Sequence, residues 1–203
     1  MIAFPDLPPM LAQSANDALQ CAANPQPSGL FLVADMSLPS SERRLWVFRI
    51  RDGEPELIAR DYVAHGAGSD FDRDGRAETF SNRVNSNATS LGIYRIAEPY
   101  YGKYGRSYRL DGLLTHWNDQ ARERAVVLHH APYVRPASVG RSFGCPAVRE
   151  EVLRQLSSEG LEDALLYIHS SDPIFQQDLQ RCAKREFFCE TPNTPHFPHT
   201  FGA

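Results

Sequence analysis

Short β-rich segments separated by turn residues run through most of the chain, and this pattern constrains the fold more than any other feature. Two of them, GLFLVADMS at 29–37 and RRLWVFRI at 43–50, are dominated by branched and aromatic residues. The sequence DGEP at 52–55 follows the second segment and predicts a hairpin turn. One helical pattern precedes these segments, and another follows Cys145 and is itself followed by a closing strand, EDALLYIHS at 162–170. We therefore predict an antiparallel or mixed β fold rather than a repeated β-α-β arrangement.

Two segments have helical periodicity. The first is predicted over 9–23, where apolar residues return to one face every three to four positions. The second is predicted over 147–159, after Cys145 and Pro146, and Gly160 lies beyond its end. The fold is therefore mainly β with a few helices, and one helix follows the loop that carries Cys145.

Composition excludes several classes of function. The chain has 203 residues and a formal net charge of −4, and its basic residues are scattered, which argues against nucleic acid as a partner. No apolar run approaches the roughly 18 residues that a membrane span needs. The N-terminal residues lack the basic and apolar regions of a signal peptide. We therefore expect either a cytoplasmic protein or a mature chain whose signal has been removed.

Cys145 lies in GRSFGCPAV at 140–148, between a glycine-containing loop and the predicted helix. A helix N-terminus stabilises a thiolate, and Pro146 suits a first helical turn, where no N–H is needed. Gly144 allows close approach of the backbone to a substrate. On these grounds Cys145 is a candidate nucleophile, although a packed small residue remains an alternative.

A nucleophilic cysteine needs a base, and the strand-like segment AVVLHHA at 125–131 supplies two adjacent histidines. Alternation along a strand places His129 and His130 on opposite faces, so only one of them can readily face Cys145. A backbone carbonyl can orient the imidazole in place of an acidic third member. A structural role for both histidines is the alternative.

These motifs together resemble the active-site region of the YkuD-type L,D-transpeptidases, which remodel peptidoglycan. The hallmark of that family is a histidine followed, after a gap, by S-x-G-C, and this chain has His129 and then SFGC at 142–145. The proline after the cysteine is typical of the murein L,D-transpeptidase catalytic domain subgroup. The resemblance extends over about 30–169 and implies a β-sandwich of mixed sheets.

The resemblance implies a role for each matched position. Cys145 is the nucleophile and His129 the base, while the backbone N–H groups of Gly144 and Cys145 form an oxyanion hole. Ser142 orders the loop or binds the substrate, and Arg141 can hold a substrate carboxylate through its planar guanidinium.

Two positions depart from the family pattern. His130 stands where a glycine usually follows the base, so it could crowd the site, contact the substrate or be the true base. Ala147 stands where many relatives carry an arginine, so Arg141 or Arg149 would have to replace that arginine.

The implied activity is acyl transfer between peptidoglycan stem peptides through a cysteine thioester, without a cofactor or metal. An L,D-carboxypeptidase, or a hydrolase acting on peptidoglycan stems or peptidoglycan-linked protein, is the alternative.

Donor and acceptor stem peptides are the expected partners, and we expect a monomer in the periplasm or cell envelope with its signal removed. The predicted parts are an N-terminal helical extension (1–27), the catalytic domain (28–170) and a Cys-containing tail (171–203).

Three further features have two interpretations each. In the aromatic region, Tyr94 and Tyr108 are predicted to border the substrate groove, with strand packing as the alternative. The segment DFDRDG at 70–75 has the spacing of a calcium loop, but Ser81 stands where a bidentate Glu belongs, which favours a solvated acidic loop. In an oxidising compartment, the tail cysteines at 182 and 189 can pair locally, or the cysteine at 21 can pair with one of them.

Overall fold

A computed structural model describes residues 1–24, 29–136 and 138–184. The strands are β1 (Gly29–Asp35), β2 (Leu45–Arg51), β3 (Glu54–Asp61), β4 (Gly92–Gly102), β5 (Gly105–Gly112), β6 (Val127–His130), β7 (Val134–Arg135), β8 (Ser138–Val139), β9 (Ala147–Val148) and β10 (Leu165–His169). The helices are α1 (Pro9–Cys21), α2 (Glu150–Ser158) and α3 (Pro173–Ala183), with a 3₁₀ turn at Ala67–Ser69. The predicted mainly β class with a few helices is confirmed.

Within these ranges eight strands form one mixed sheet in the order β3-β2-β1-β10-β4-β5-β6-β9, and β7 and β8 form a separate ribbon. The pairs β1–β10 and β6–β9 are parallel, and the other neighbours are antiparallel. Strands β1 and β10 are almost entirely buried and mostly apolar, as expected where both faces of a sheet are covered. Strand β10 lies in the middle of the sheet, between β1 and β4.

The turn between β2 and β3 has the predicted hairpin geometry. Asp52 and Gly53 both have positive φ, at 51° and 81°, and such a two-residue turn matches the twist of paired strands. The prediction from DGEP is confirmed, because an Asp-Gly pair tolerates this backbone conformation better than most residue pairs.

The segment that follows β3 connects the two edge strands of the sheet, β3 and β9. Ala64 forms an antiparallel bridge with Ala147 of β9, and Gly66 forms a parallel bridge with Ser142. An ion pair between Asp61 at the end of β3 and Arg149 after β9 spans the same gap. The sheet therefore curls until its first and last strands are connected, and the loop that carries Cys145 lies at this junction.

The helices pack against the sheet and against each other. Apolar residues of α1 are buried, and the segment before it adds Phe4 to the core, where its ring lies 5.6 Å from that of Phe31. A disulfide between Cys21 and Cys182 joins α1 to α3, which confirms the alternative in which the N-terminal helix is linked to the tail. The other alternative, a local pairing of Cys182 with Cys189, was wrong, because Cys182 is already bonded to Cys21. Cys189 itself lies outside the described ranges.

Helix α3 begins at Pro173 and is capped by Asp172, whose side chain accepts hydrogen bonds from the backbone N–H groups of Ile174 and Phe175. No helix within the described ranges is long and apolar enough to cross a membrane.

Candidate active site

Cys145 lies in the loop between β8 and β9, and its thiol is partly buried. Its Sγ is 4.0 Å from the carbonyl oxygen of Ala125, and it is the free cysteine within the described residues. Pro146 is followed by the two-residue strand β9, and helix α2 begins only at Glu150. The prediction that Cys145 stands at a helix N-terminus, with Pro146 in the first turn, was wrong, because β9 separates the thiol from the helix.

Ser142 holds the cysteine loop in place from within. Its Oγ donates to the carbonyl oxygen of Cys145 (2.7 Å) and accepts from the N–H of Gly144 (3.1 Å). Its backbone N–H donates to the carbonyl of His65 (2.9 Å), and its own carbonyl accepts from Ala67 (2.8 Å). The serine is only 6% exposed, and these four hydrogen bonds hold the loop in place.

Gly144 is required by the shape of this loop. Its φ is +113°, and an added Cβ would lie 2.9 Å from the carbonyl oxygen of Ala88 and 3.2 Å from Nη2 of Arg124. Its N–H is already used by Ser142 Oγ. In this conformation the predicted oxyanion donor Gly144 is therefore occupied, because its hydrogen bond fixes the loop instead.

His129 lies on β6, directly beside the end of the cysteine loop. It pairs with Ala147 of β9, and its backbone N–H points to the carbonyl of Pro146 at 3.4 Å. Its Nδ1 lies 2.9 Å from the carbonyl oxygen of His130, which can only accept, so Nδ1 carries a proton and Nε2 of the neutral ring does not. Burial lowers the pKa of His129, which keeps the ring neutral and able to accept a proton.

His130 is less buried and lies on the other face of β6. It borders a cavity of about 640 Å³ that is also lined by Lys103, Tyr104 and Arg135. Cys145 is not among the residues that line this cavity. The structure therefore separates the two histidines as the alternation predicted, and it leaves His129 beside the cysteine loop.

Arg124 is a cationic side chain whose charge acts on the Cys145 thiol. It was not identified from the sequence. Its Nη1 donates to the carbonyl of Ser81 (2.8 Å) and to Ser90 Oγ (3.0 Å), and its Nη2 donates to Ser86 Oγ (3.2 Å) and the carbonyl of Ala88 (2.6 Å). Burial raises the pKa of the Cys145 thiol, whereas a backbone hydrogen bond and the charge of Arg124 oppose that rise. In the sequence Arg124 belongs to a charged run with no signal of this position.

Tyr104 and Tyr133 form an aromatic wall beside His129. The rings of Tyr104 and His129 stack at 5.5 Å with an interplanar angle of 12°, and Tyr133 meets Tyr104 edge to face at 6.4 Å. Burial raises the pKa of Tyr133, and the proximity of Cys145 adds to that rise. Tyr104 lies in the aromatic segment YYGKYGRSYRLDGL at 100–113, but the prediction favoured Tyr94 and Tyr108, and Tyr133 lies outside that segment.

The structure corrects the prediction that Tyr94 and Tyr108 border the substrate groove. They are 0% and 1% exposed, and the hydroxyl of Tyr94 donates to the carbonyl of Ser90 at 2.7 Å. Burial raises the pKa of Tyr94 to about 12. Both side chains belong to the packed core of the sheet, so neither borders an open groove as predicted.

The arginines expected to replace the cation missing at Ala147 are already engaged. Arg141 donates through Nη1 to the backbone oxygen of Asp70. Arg149 forms ion pairs with Asp61 and Glu151. Arg141 keeps part of its hydrogen-bonding capacity, while Arg149 serves to connect the ends of the sheet.

One group of carboxylates within the described residues could hold a cation. Asp70, Asp72 and Asp74 each place an oxygen within 4.8 Å of the others. The expectation of a solvated acidic loop fits Asp72 and Asp74, which are exposed, but not Asp70, which is 1% exposed.

Comparison with known proteins identifies a family and several structural neighbours. A family model described as the L,D-transpeptidase catalytic domain matches residues 5–169. Bd1075 from Bdellovibrio bacteriovorus is 18% identical over 79% of this chain and 56% of its own, with a TM-score of 0.46. An L,D-transpeptidase from Xylanimonas cellulosilytica is 15% identical over 78% of this chain and 80% of its own, with a TM-score of 0.43. The chain spans just over half the length of Bd1075, and no curated protein sequence matches it significantly.

Proposed function

We propose, since this chain belongs to the L,D-transpeptidase catalytic domain family, that it is an acyltransferase acting on peptidoglycan stem peptides through a thioester at Cys145. The observation that carries the proposal is the pairing of β6 with β9, which brings a histidine with an unprotonated Nε2 beside the loop of a free thiol. A thiol and a neutral imidazole are the two groups that cysteine-based acyl transfer needs.

In the first step, Cys145 Sγ attacks the carbonyl carbon that precedes the terminal residue of a donor stem. His129 Nε2 takes the thiol proton and passes it to the nitrogen of the leaving amine as the C–N bond breaks, which leaves a thioester. In the second step the amine of another stem attacks the thioester carbon, the C–S bond breaks, and the amine proton is returned through His129 to the sulfur. Attack by water in place of the amine gives carboxypeptidase activity.

The surrounding residues support both steps. The positive charge of Arg124 favours the thiolate of Cys145. Four hydrogen bonds from Nη1 and Nη2 to the protein hold that charge in one position. The N–H of Cys145 is the proposed donor to the oxyanion. Gly144 can add a second donor only if its hydrogen bond to Ser142 Oγ is released.

We place this activity in the periplasm or cell envelope, where its substrate would be found. The Cys21–Cys182 disulfide supports this location, since such bonds persist in oxidising compartments.

Incubation with purified muropeptides, followed by mass spectrometry of the products, tests the proposal. The native chain should form crosslinked dimers, and Cys145→Ala should form none while its circular dichroism and melting temperature stay unchanged. Cys189→Ser is the matched cysteine control and should retain activity. Dimers that persist in Cys145→Ala would overturn the assignment, and shortened monomers without dimers would identify a carboxypeptidase.

A further inference from the structure

The segment between β3 and β4 contains a loop that the proposed acyl transfer does not use. Its sequence DFDRDG at 70–75 places carboxylates at the first, third and fifth positions and a glycine at the sixth. This is the opening half of a twelve-residue calcium loop, although Ser81 replaces the bidentate Glu at the last position. The spacing alone does not distinguish an ion site from a solvated loop.

The structure gathers the three carboxylates at one place. One oxygen each from Asp70, Asp72 and Asp74 lies within 4.8 Å of the other two. Three like charges this close repel one another unless a cation or a set of donors balances them.

Asp70 gives an independent indication of a ligand. Its side chain is buried, and its Oδ2 is partnered by Nε2 of His65 at 3.2 Å and by the N–H of Gly75 at 3.3 Å. Its Oδ1 is also buried, yet within the described part of the chain it has no hydrogen-bond partner. A buried carboxylate oxygen without a donor is costly, and a bound cation removes that cost. Oδ1 is therefore the oxygen of Asp70 that remains available to a cation.

We propose that Asp70, Asp72 and Asp74 bind a calcium ion. All of the available ligands are hard oxygens, and calcium accepts six to eight of them in flexible geometry, with water and the carbonyl of Arg76 at the seventh loop position completing the set. The missing Glu at position twelve predicts weak binding, with a dissociation constant of about 10⁻⁴–10⁻³ M, the range of extracellular calcium modules.

The site would act on the nucleophile loop through two contacts. The backbone oxygen of Asp70 accepts from Arg141, and the carbonyl of His65, whose ring contacts the Asp70 carboxylate, accepts from the N–H of Ser142. An ion that fixes Asp70 therefore stabilises the segment on which the loop of Cys145 rests.

Equilibrium dialysis of the full, chelator-treated chain against radiolabelled calcium tests the proposal without any assay of acyl transfer. We expect one ion per chain and a rise in melting temperature of about 3–11 °C at about 10 mM calcium, which is roughly 10–100 times the expected dissociation constant. The exposed pair Asp72→Asn/Asp74→Asn should weaken binding at least tenfold and reduce the thermal shift to about half or less. Its melting temperature without calcium should not fall.

The matched control is Glu42→Gln/Glu162→Gln, which removes the same charge from exposed positions elsewhere and should bind calcium as the native chain does. Absence of binding up to about 10 mM, roughly ten times the weakest expected dissociation constant, would overturn the proposal. Equal binding by the Asp72→Asn/Asp74→Asn variant would exclude this site, and equal stabilisation by magnesium would exclude calcium as its ion.

Discussion

At the scale of single residues, the candidate site depends on which atoms are already engaged by the protein. His129 donates from Nδ1 to a backbone carbonyl, which leaves Nε2 as the acceptor. Gly144 uses its N–H within the loop, and Arg124 uses all four Nη hydrogens. Residue identity predicted the nucleophile and two candidate bases, but hydrogen-bond partners decided what each group is free to do.

The two histidines should differ sharply on substitution. His129→Ala should lower kcat/KM on a stem-peptide substrate by about 10²–10⁴, the usual contribution of a positioned acid–base group. His130→Ala should change it only a few-fold, because His130 lies on the opposite face of β6. Steady-state kinetics on both variants makes the comparison, and the reverse order would identify His130 as the base.

Arg124 should influence how readily Cys145 ionises. Burial raises the pKa of this thiol and the charge of Arg124 opposes that rise, so Arg124→Gln should move the ionisation to higher pH, while Arg124→Lys should restore part of the shift. The measurement is the rate of alkylation by iodoacetamide as a function of pH, in a Cys189→Ser background.

Arg122→Gln is the matched control for this experiment, since Arg122 is exposed and paired with Glu98 and Asp111. It should leave the alkylation midpoint unchanged. An unchanged midpoint in Arg124→Gln would show that the guanidinium only braces the 81–90 segment.

At the scale of elements, the short strand β9 decides the surroundings of the cysteine. Two residues are too few to show a strand period, and the helical pattern after Cys145 extended over them in the sequence. Pairing with β6 separates them from α2, which begins at Glu150 with two acidic residues in its first turn. The helix was predictable from its apolar face, whereas its first residue depended on a long-range strand contact.

The disulfide between α1 and α3 should contribute measurably to stability. It links positions 161 residues apart, so its loss should lower the free energy of unfolding by about 2–5 kcal/mol. Urea unfolding of Cys21→Ser/Cys182→Ser against the native chain measures the change. Native chain treated with reductant should behave as the variant does, and a variant as stable as the oxidised native chain would refute the expectation.

At the scale of the whole molecule, the N-terminal segment is part of the core. Ile2, Phe4, Leu7 and Leu11 are all buried in the main hydrophobic cluster, and the ring of Phe4 lies 5.0 Å from that of Phe48 on β2. The division into an extension over 1–27 and a domain over 28–170 remains a prediction about the chain, but these contacts join the two parts physically.

Truncation of Phe4 should therefore destabilise the entire molecule. Phe4→Ala should lower the free energy of unfolding by about 3–5 kcal/mol, as expected for a buried aromatic ring. Met10→Ala, in the same segment but 87% exposed, should change it by less than about 0.5 kcal/mol. Chemical denaturation followed by circular dichroism gives both values, and equal small effects would show that the segment packs without stabilising the sheet.

The sequence by itself determined the mainly β class, the Asp52-Gly53 hairpin, the helix after the cysteine loop and the family to which the chain belongs. These are local properties, since periodicity, turn chemistry and motif spacing are set by residues near one another in the chain. Only the tertiary structure decided that Tyr94 and Tyr108 are buried and that Arg124 lies beside Gly144 in the cysteine loop. Burial and proximity of this kind arise when the sheet curls and distant segments meet, and no short window of sequence contains that information.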